Sequence, residues 1–213
     1  INTFAERITE CGSFFSDKIY QSAFNELMPS IDAIIPEQLP SNREITWFEL
    51  VTLYAFLVFK HAKLDWAVFE TGLGGRLDAT NVLCPNLCVL TPIELEHTAF
   101  LGDSLPKIAR EKAGIIKEKT LCFSSEQKNC VKEVFDLEAQ NKQTKVNYVD
   151  DFLISSNYRI SDDGMDIELN FGDLFYRPIK TKLKLKGECQ MQNAALAILC
   201  VKHIFPSINE VTI

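Results

Sequence analysis

The chain has 213 residues, of which 46% are hydrophobic, so it is long enough to build one α/β core. Its net charge is -7 and it contains no basic run, which argues against nucleic acid as a partner. No apolar stretch is long enough to span a membrane and no secretory signal is visible, so we expect no membrane partner and a cytoplasmic location.

The seven cysteines form no Cys-x-x-Cys pair, and the two nearest each other are Cys84 and Cys88. Thiols spaced in this way are typical of reduced, buried cysteines in a cytosolic protein rather than of a metal site or a disulfide framework. The chain begins at Ile1 rather than at Met, which predicts that it is a piece of a longer protein.

The first part of the chain is predicted to contain two helices. Residues 1–10 are expected to be extended, and a helix is predicted over about 16–27. A second helix is predicted over about 46–61, because Glu49 stands three residues after Thr46, which is the spacing of a capping box. Its apolar residues cover most of its circumference, so we expect it to be buried against a sheet.

Strands and helices then alternate. Strands are predicted at 66–70, 87–91, 120–124 and 145–149, with helices at 107–114 and 126–141. Such alternation predicts an α/β fold with a mostly parallel sheet flanked by helices. A small antiparallel β subregion is expected over about 152–186, with strands at 157–160, 165–171, 174–179 and 182–186. A helix over 193–204 follows, and we treat residues 1–213 as a single partial domain.

The most informative stretch follows the apolar run 66–69 and reads Glu70-Thr-Gly-Leu-Gly-Gly-Arg-Leu-Asp-Ala-Thr-Asn81. A buried strand followed at once by an acid and a Gly-rich turn places a charge at the carboxyl edge of a parallel sheet, where ligands bind. Its glycines, Gly72, Gly74 and Gly75, allow a sharp turn or close approach to a ligand. The stretch is therefore predicted to be an active-site loop.

Two further candidate residues lie near later strands. His97 follows the strand predicted at 87–91, and Lys112 lies on the next predicted helix. Because the carboxyl ends of parallel strands converge, Glu70 and His97 could share a divalent cation, although imidazole alone favours Zn²⁺ or Mn²⁺ over Mg²⁺. Each residue also has an ordinary interpretation: His97 as a loop histidine with satisfied hydrogen bonds, and Lys112 as one cation on a charged helix face.

A phosphate-binding loop is absent from the sequence. There is no G-x-x-x-x-G-K-[ST] motif, and the Gly72-Leu-Gly74 match to a dinucleotide fingerprint fails at Leu77. If the protein uses ATP, we expect its phosphate-binding loop to lie outside this chain.

Taken together, these motifs resemble those of the folylpolyglutamate synthase/dihydrofolate synthase family, which is related to the Mur ligases. The matching stretches run in the family's order over nearly the whole chain: Phe4-x-Glu-Arg-Ile8, Thr46-Trp-Phe-Glu49, the Gly-rich loop, His97-Thr-x-x-Leu-Gly102, Arg110-Glu-Lys-Ala-Gly-Ile115 and Gly187-Glu-Cys-Gln-Met-Gln-Asn-Ala194. The resemblance implies a Mur-ligase-like central ATPase domain. Its P-loop strand would precede Ile1, and a C-terminal glutamate-binding domain would follow Ile213.

The resemblance also implies a reaction and its residues. The family adds L-glutamate to folate or dihydropteroate through an acyl phosphate, using ATP and Mg²⁺. On this resemblance Glu70 and His97 are expected to bind Mg²⁺, Lys112 to be carried as a carbamate, and Asn193 to contact adenine. The positions that match the pterin pocket are Thr46, Phe48, Asp78 and Ala79.

The chain departs from the family pattern at two positions: Glu96 stands where Asp is usual, and Cys189 where His is common. We expect this chain alone to be inactive, and the longer protein to be monomeric with ATP, a folate or dihydropteroate, and L-glutamate as its partners. Two alternatives stay open. One is a related amide ligase that acts on another acid, and the other is a non-catalytic interaction module of the same fold.

Overall fold

A computed structural model describes residues 3–35, 37 and 39–212 and divides the chain into two compact units. Unit 1 contains the described residues up to Leu73 together with Asp78–Val82. Unit 2 contains Gly74–Leu77 and the described residues from Leu83 onward. The Gly-rich loop therefore contributes residues to both units.

Unit 1 is built on two helices, α1 (Asp17–Asp32) and α2 (Trp47–Ala62), which pack against each other. Its core consists of Ile8, Phe15, Ala23, Ala55 and Val58. Both predicted helices are confirmed, although α1 continues past its predicted end. The extended conformation predicted for 1–10 is wrong for the described part, because Phe4–Arg7 forms a 3-10 helix whose first turn is capped by Thr3 and Glu6. Positions 1 and 2 of that prediction lie outside the described residues.

The strand predicted at 66–70 is also wrong, since these residues lie outside regular secondary structure. The apolar run suggested a buried strand, but the Val68 side chain is 93% exposed. Phe69 is the packed member of the run, and its ring meets Phe56 and Phe59 of α2 at 5.0 and 5.3 Å. The run is therefore a connection without regular secondary structure in which the Phe69 ring packs against α2.

Unit 2 contains a parallel sheet in the order β1 (Leu87–Leu90), β2 (Leu121–Ser124), β3 (Val146–Tyr148). The helices along this part are α3 (Thr98–Leu101), α4 (Leu105–Ala113) and α5 (Asn129–Asn141). The central strand has fully buried side chains at the successive positions Cys122 and Phe123, which point to opposite faces. Both faces of the sheet are therefore covered, as expected for a parallel sheet.

A second, antiparallel sheet in unit 2 consists of β4 (Ser155–Ser161), β5 (Gly164–Asn170) and β6 (Ile179–Leu183). Its buried residues Met165, Ile167 and Leu169 share a core with the last helix, α6 (Glu188–Ile204). The antiparallel subregion is confirmed, but it contains three strands rather than the four predicted. Pro178 has no N–H to donate to a ladder, so one strand begins directly after it.

The structure is thus a mixed α/β fold, as the alternation of elements predicted. Among the described residues, no helix combines the length and the apolar character needed to cross a membrane.

Candidate functional site

In unit 1 the aromatic ring of Phe48 lies directly against Gly72 of the Gly-rich loop. A Cβ atom placed on Gly72 would come within 2.4 Å of the Phe48 ring, so no side chain fits at this position without moving the ring. Phe48 itself is half-buried, and it occupies the second position of α2. The glycine is therefore required for loop and ring to be in contact.

The carboxylate of Asp78 ties the two parts of this loop together. Its Oδ2 atom accepts hydrogen bonds from Gly72 N at 2.8 Å and Leu73 N at 2.9 Å. Its Oδ1 atom accepts from Thr80 N at 2.9 Å and from the Thr80 hydroxyl at 2.6 Å. These four bonds fill the acceptor capacity of a carboxylate, so Asp78 acts in this structure as a brace for the loop.

The start of α2 is held by a local network of charged and polar groups. Thr46 Oγ1 accepts from Glu49 N at 3.2 Å, and Glu49 Oε2 accepts from Thr46 N at 2.9 Å, which confirms the predicted capping box. The Arg43 guanidinium donates to both Glu49 oxygens at 2.9 and 2.6 Å. Together with the Thr46 bonds it lowers the pKa of Glu49 to about 2. Arg43 was not singled out from the sequence, because it precedes the capping-box motif.

The four positions predicted to form a pterin pocket are thereby brought together. Asp78 holds the loop on which the Phe48 ring rests, and Ala79 begins the short 3-10 helix Ala79–Val82, which contacts α2. Thr46 caps the same helix and its side chain is exposed. Glu70 lies two residues before Gly72, the loop residue in contact with Phe48, and its side chain is also exposed.

In unit 2 the next residues of the Gly-rich loop lie on the end of α4. Arg76 N donates to Glu111 O at 2.8 Å, and its guanidinium pairs with the Glu111 carboxylate at 3.0 Å. A Cβ atom on Gly75 would lie 2.9 Å from Glu111 O, and one on Gly114 would lie 2.5 Å from the Arg76 Cα atom. Loop and helix therefore approach at backbone distance beside Lys112.

Lys112 points toward the loop that contains His97. Its Nζ atom lies 3.8 Å from Glu96 Oε1, and its side chain is 23% exposed. His97 is exposed and takes a left-handed backbone conformation, with φ 49° and ψ 34°, at the N-cap of α3. A non-glycine residue in this conformation is uncommon and is found disproportionately at functional sites. The structure therefore brings Glu96 and Lys112 together, and His97 follows Glu96 directly in the chain.

A buried amide, Gln127, supports the segment that leads to His97. Its side chain accepts a hydrogen bond from Ile93 N at 3.1 Å and donates one to Thr91 O at 2.8 Å. No sequence motif indicated this role, because Gln127 was interpreted as one polar residue of the helix predicted at 126–141. In the structure α5 begins only at Asn129, which leaves Gln127 free to face the neighbouring strand.

Asn193, predicted to contact adenine, lies in the second turn of α6 with an exposed side chain. A cavity of about 180 Å³ lies nearby, and its polar lining includes Ser125, Glu126, Asp150, Ser156, Glu188 and Gln192. Three of these groups are carboxylates, which would repel a phosphate. This cavity therefore does not provide the phosphate-binding element that the sequence also lacks.

Among residues 3–35, 37 and 39–212 there is no group of three or more His, Cys, Asp or Glu side chains arranged to hold a metal ion. Glu70 belongs to unit 1 and His97 to unit 2.

Comparison with known proteins gives one consistent result, although no family model matches the chain. The chain is 35% identical over 205 residues to the dihydrofolate synthase/folylpolyglutamate synthase of Bacillus subtilis, covering 96% of this chain and 46% of that protein. The structure of Mycobacterium tuberculosis folylpolyglutamate synthase complexed with ADP and AMPPCP superposes with a TM-score of 0.85 at 32% identity, covering 98% of this chain and 48% of that one. An FPGS–AMPPCP–folate complex superposes with a TM-score of 0.82 at 26% identity, covering 94% and 48%. The chain spans about half the length of the relatives it matches.

Proposed function

Because this chain is related in sequence and fold to about half of a dihydrofolate synthase/folylpolyglutamate synthase, we propose that it forms the central part of an ATP-dependent ligase that adds L-glutamate to folate or dihydropteroate. The observation that carries the proposal is the 35% identity over 96% of the chain. The related structures are complexes with ADP and AMPPCP and with AMPPCP and folate, which supports ATP and a folate as substrates. The longer protein would supply a P-loop and a glutamate-binding domain.

The unit 1 arrangement supports a pterin pocket. The Phe48 ring offers an aromatic face. The exposed Thr46 hydroxyl donates to Glu49 Oε2 at 2.7 Å and accepts from Glu49 N, so it keeps one lone pair to accept a further hydrogen bond. Because all four hydrogen-bonding positions of Asp78 are used within the loop, we assign Asp78 the task of holding Phe48 and Ala79 in place. Direct recognition of the pterin by Asp78 would require one of these bonds to open.

The unit 2 arrangement supports a role in phosphoryl transfer. Such a reaction depends on charge neutralisation and alignment more than on covalent chemistry by the protein. The half-buried Lys112 side chain lies with its Nζ atom 3.8 Å from Glu96 Oε1. As a carbamate it would become an anion able to orient a metal or a phosphate. We therefore propose that Lys112 aligns the reacting phosphate.

Mg²⁺ is the metal we propose, with Glu70 and His97 as its protein ligands. When bound, it would neutralise charge on the ATP phosphates. One carboxylate together with substrate oxygens is a usual Mg²⁺ set, and the imidazole is the less usual ligand. All seven cysteines are free thiols, which fits our proposal that the reaction takes place in the reducing environment of the cytoplasm.

The test is glutamate-dependent ADP release by the longer protein that carries this chain, measured with dihydropteroate and with tetrahydrofolate. We expect release that requires one of these acids and falls at least about 100-fold in Lys112→Ala. Lys184→Ala, which removes an exposed lysine of the antiparallel subregion, is the matched control and should leave the rate unchanged. No ADP release with either acid, in a folded protein that binds ATP, would refute the folate assignment and favour a ligase for another acid. A folded protein that does not bind ATP would favour the interaction module.

A further inference from the structure

The loop that leads from β1 to His97 is attached to the neighbouring strand by a side chain. The last paired residues of β1 and β2 are Leu90 and Ser124. Beyond them Ser125 N donates to Leu90 O at 3.0 Å. The side chain of Gln127 then accepts from Ile93 N at 3.1 Å and donates to Thr91 O at 2.8 Å. The connection between the strands therefore continues past their ends.

These two bonds have the pattern that a strand residue would make. In a parallel ladder, one residue donates to the carbonyl before its partner and accepts from the N–H after it. Thr91 O and Ile93 N flank Pro92 in this way, so the Gln127 carboxamide takes the place of a strand residue opposite Pro92. A carboxamide side chain carries the required donor and acceptor on two neighbouring atoms without a charge.

The orientation of this amide is determined by its partners. Its Nε2 atom also lies 3.2 Å from Ser124 Oγ and 3.4 Å from Ser125 Oγ. The reverse orientation would place an N–H group against the N–H of Ile93. Gln127 is 8% exposed and Ile93 5% exposed, so both amides are largely out of reach of water. Losing the Gln127 bonds would leave the N–H of the buried Ile93 without this acceptor, whereas Thr91, which is exposed, would lose a donor to its carbonyl.

The residues held in this way lie immediately before the loop that contains His97, here called the His97 loop. Ile93 is one anchor of the segment, and Leu101 of α3, 9% exposed, is the other. His97 lies between these anchors, in its left-handed conformation. A strained conformation persists only where the surrounding structure enforces it, so releasing one anchor lets the segment relax.

We propose that Gln127 is a positioning residue for His97: its carboxamide clamps the backbone at Thr91 and Ile93 and thereby maintains the conformation of the His97 loop. The consequence for catalysis rests on the proposed function, whereas the clamp itself does not. Gln127 touches neither substrate nor metal in this account, and it acts only through the loop.

Two variants of the longer protein separate the clamp from general stability. Gln127→Met keeps the length of the side chain and removes both hydrogen bonds. Gln127→Glu introduces a carboxyl group that matches the two backbone partners only when it is protonated, since a carboxylate lacks a donor for Thr91 O. The matched control is Gln140→Glu, which makes the same change at an exposed position of α5.

The pH response of Gln127→Glu follows from its surroundings. The described contacts of this side chain are the Thr91 and Ile93 backbone groups and the hydroxyls of Ser124 and Ser125, none of which titrates near neutral pH. Glu126 and Lys128, its neighbours in the chain, are exposed. Burial and the facing carbonyl both disfavour the charged form, so the introduced carboxyl should titrate above its usual range. The clamp should then be restored as the pH falls.

The first measurement is amide hydrogen exchange of the wild type and the variants, which does not depend on activity. We expect the Ile93 amide in Gln127→Met to exchange at least about tenfold faster, equivalent to about 1.4 kcal/mol. Exchange in the core of α5 and in β3 should be unchanged. Unchanged exchange at Ile93, or faster exchange throughout unit 2, would overturn the clamp.

The second measurement is glutamate-dependent ADP release. We expect kcat of Gln127→Met to fall at least about tenfold while KM for the acid stays within about threefold, because the His97 loop moves and the acid pocket does not. The ratio of Gln127→Glu to wild-type kcat should rise as the pH falls from about 8 to about 6, and the Gln140→Glu ratio should stay flat. A normal kcat in Gln127→Met despite faster exchange at Ile93 would overturn the positioning role. If the wild type releases no ADP, the proposed function fails, and exchange alone decides whether Gln127 holds the loop.

Discussion

The substitution Gly114→Ala tests the close approach of the Gly-rich loop to α4. An added Cβ atom would lie 2.4 Å from Arg76 Cβ, 2.5 Å from Arg76 Cα and 2.9 Å from Arg76 Cγ. Non-bonded carbon atoms prefer about 3.5–4.0 Å, so the loop or the helix end must shift by about 1 Å. Because two of these atoms belong to the Arg76 backbone or lie next to it, rotating the side chain does not relieve the contact.

The expected cost can be compared with the gain. Overpacking of this kind costs about 1–3 kcal/mol, and replacing glycine by alanine in an αR conformation recovers at most about 0.5–1 kcal/mol. Gly114 has φ -60°, so no backbone strain adds to the cost. We expect a net loss of about 1–2 kcal/mol, which lowers a urea midpoint by about 0.5–1 M at a slope of about 2 kcal/mol/M.

Arg76→Ala is the matched comparison, because it removes the guanidinium but keeps the close backbone approach. Its salt bridge with Glu111 is partly exposed, with side-chain exposures of 53% and 25%, and such pairs contribute at most about 1 kcal/mol. Urea unfolding followed by fluorescence should therefore rank Gly114→Ala as the more destabilised variant, and ADP release by the longer protein should fall with it as Lys112 moves. Gly114→Ala that unfolds at the wild-type midpoint, or less destabilisation than in Arg76→Ala, would refute the steric argument.

Three further predictions concern unit 1. Gly72→Ala should push the Phe48 ring aside at a cost of about 1 kcal/mol or less, because only the far end of a side chain must move; KM for the folate or dihydropteroate should rise while kcat changes little. Asp78→Asn should destabilise the protein by about 1–3 kcal/mol in thermal unfolding, since an amide nitrogen replaces one oxygen that accepts two hydrogen bonds; wild-type stability would show that the brace is unimportant. The lowered pKa of Glu49 stabilises unit 1 above the usual glutamate pKa, and this stability should be lost as the pH falls from about 5 toward 2; Arg43→Met should flatten that part of the stability profile, and a profile unchanged by the substitution would contradict the pair.

Local structure was predicted correctly from the sequence where the hydrogen-bonding groups of a motif are partners of one another. The capping box at Thr46 and Glu49 needs no partner from elsewhere in the chain, and it formed as predicted. The strand predicted from the apolar run 66–69 did not form. A strand requires a second strand to pair with, and local composition does not reveal whether such a partner is present. The role of Gln127 was invisible for the same reason, since its partners, Thr91 and Ile93, lie more than 30 positions earlier in the chain.

The glycines of the long loop show how far a specific motif can be explained residue by residue. The sequence predicted that they allow sharp turns or the approach of a ligand. In the structure Gly72 makes room for the Phe48 ring in unit 1, and Gly75 makes room for the Glu111 and Lys112 carbonyls in unit 2. Gly74 alone requires a positive φ, of 69°. Gly72 and Gly75 are therefore needed because neighbouring protein atoms leave no room for a side chain, whereas Gly74 is needed for its backbone conformation. Substitutions at Gly72 and Gly75 should for this reason have separable effects, the first on binding of the acid and the second on the placement of Lys112.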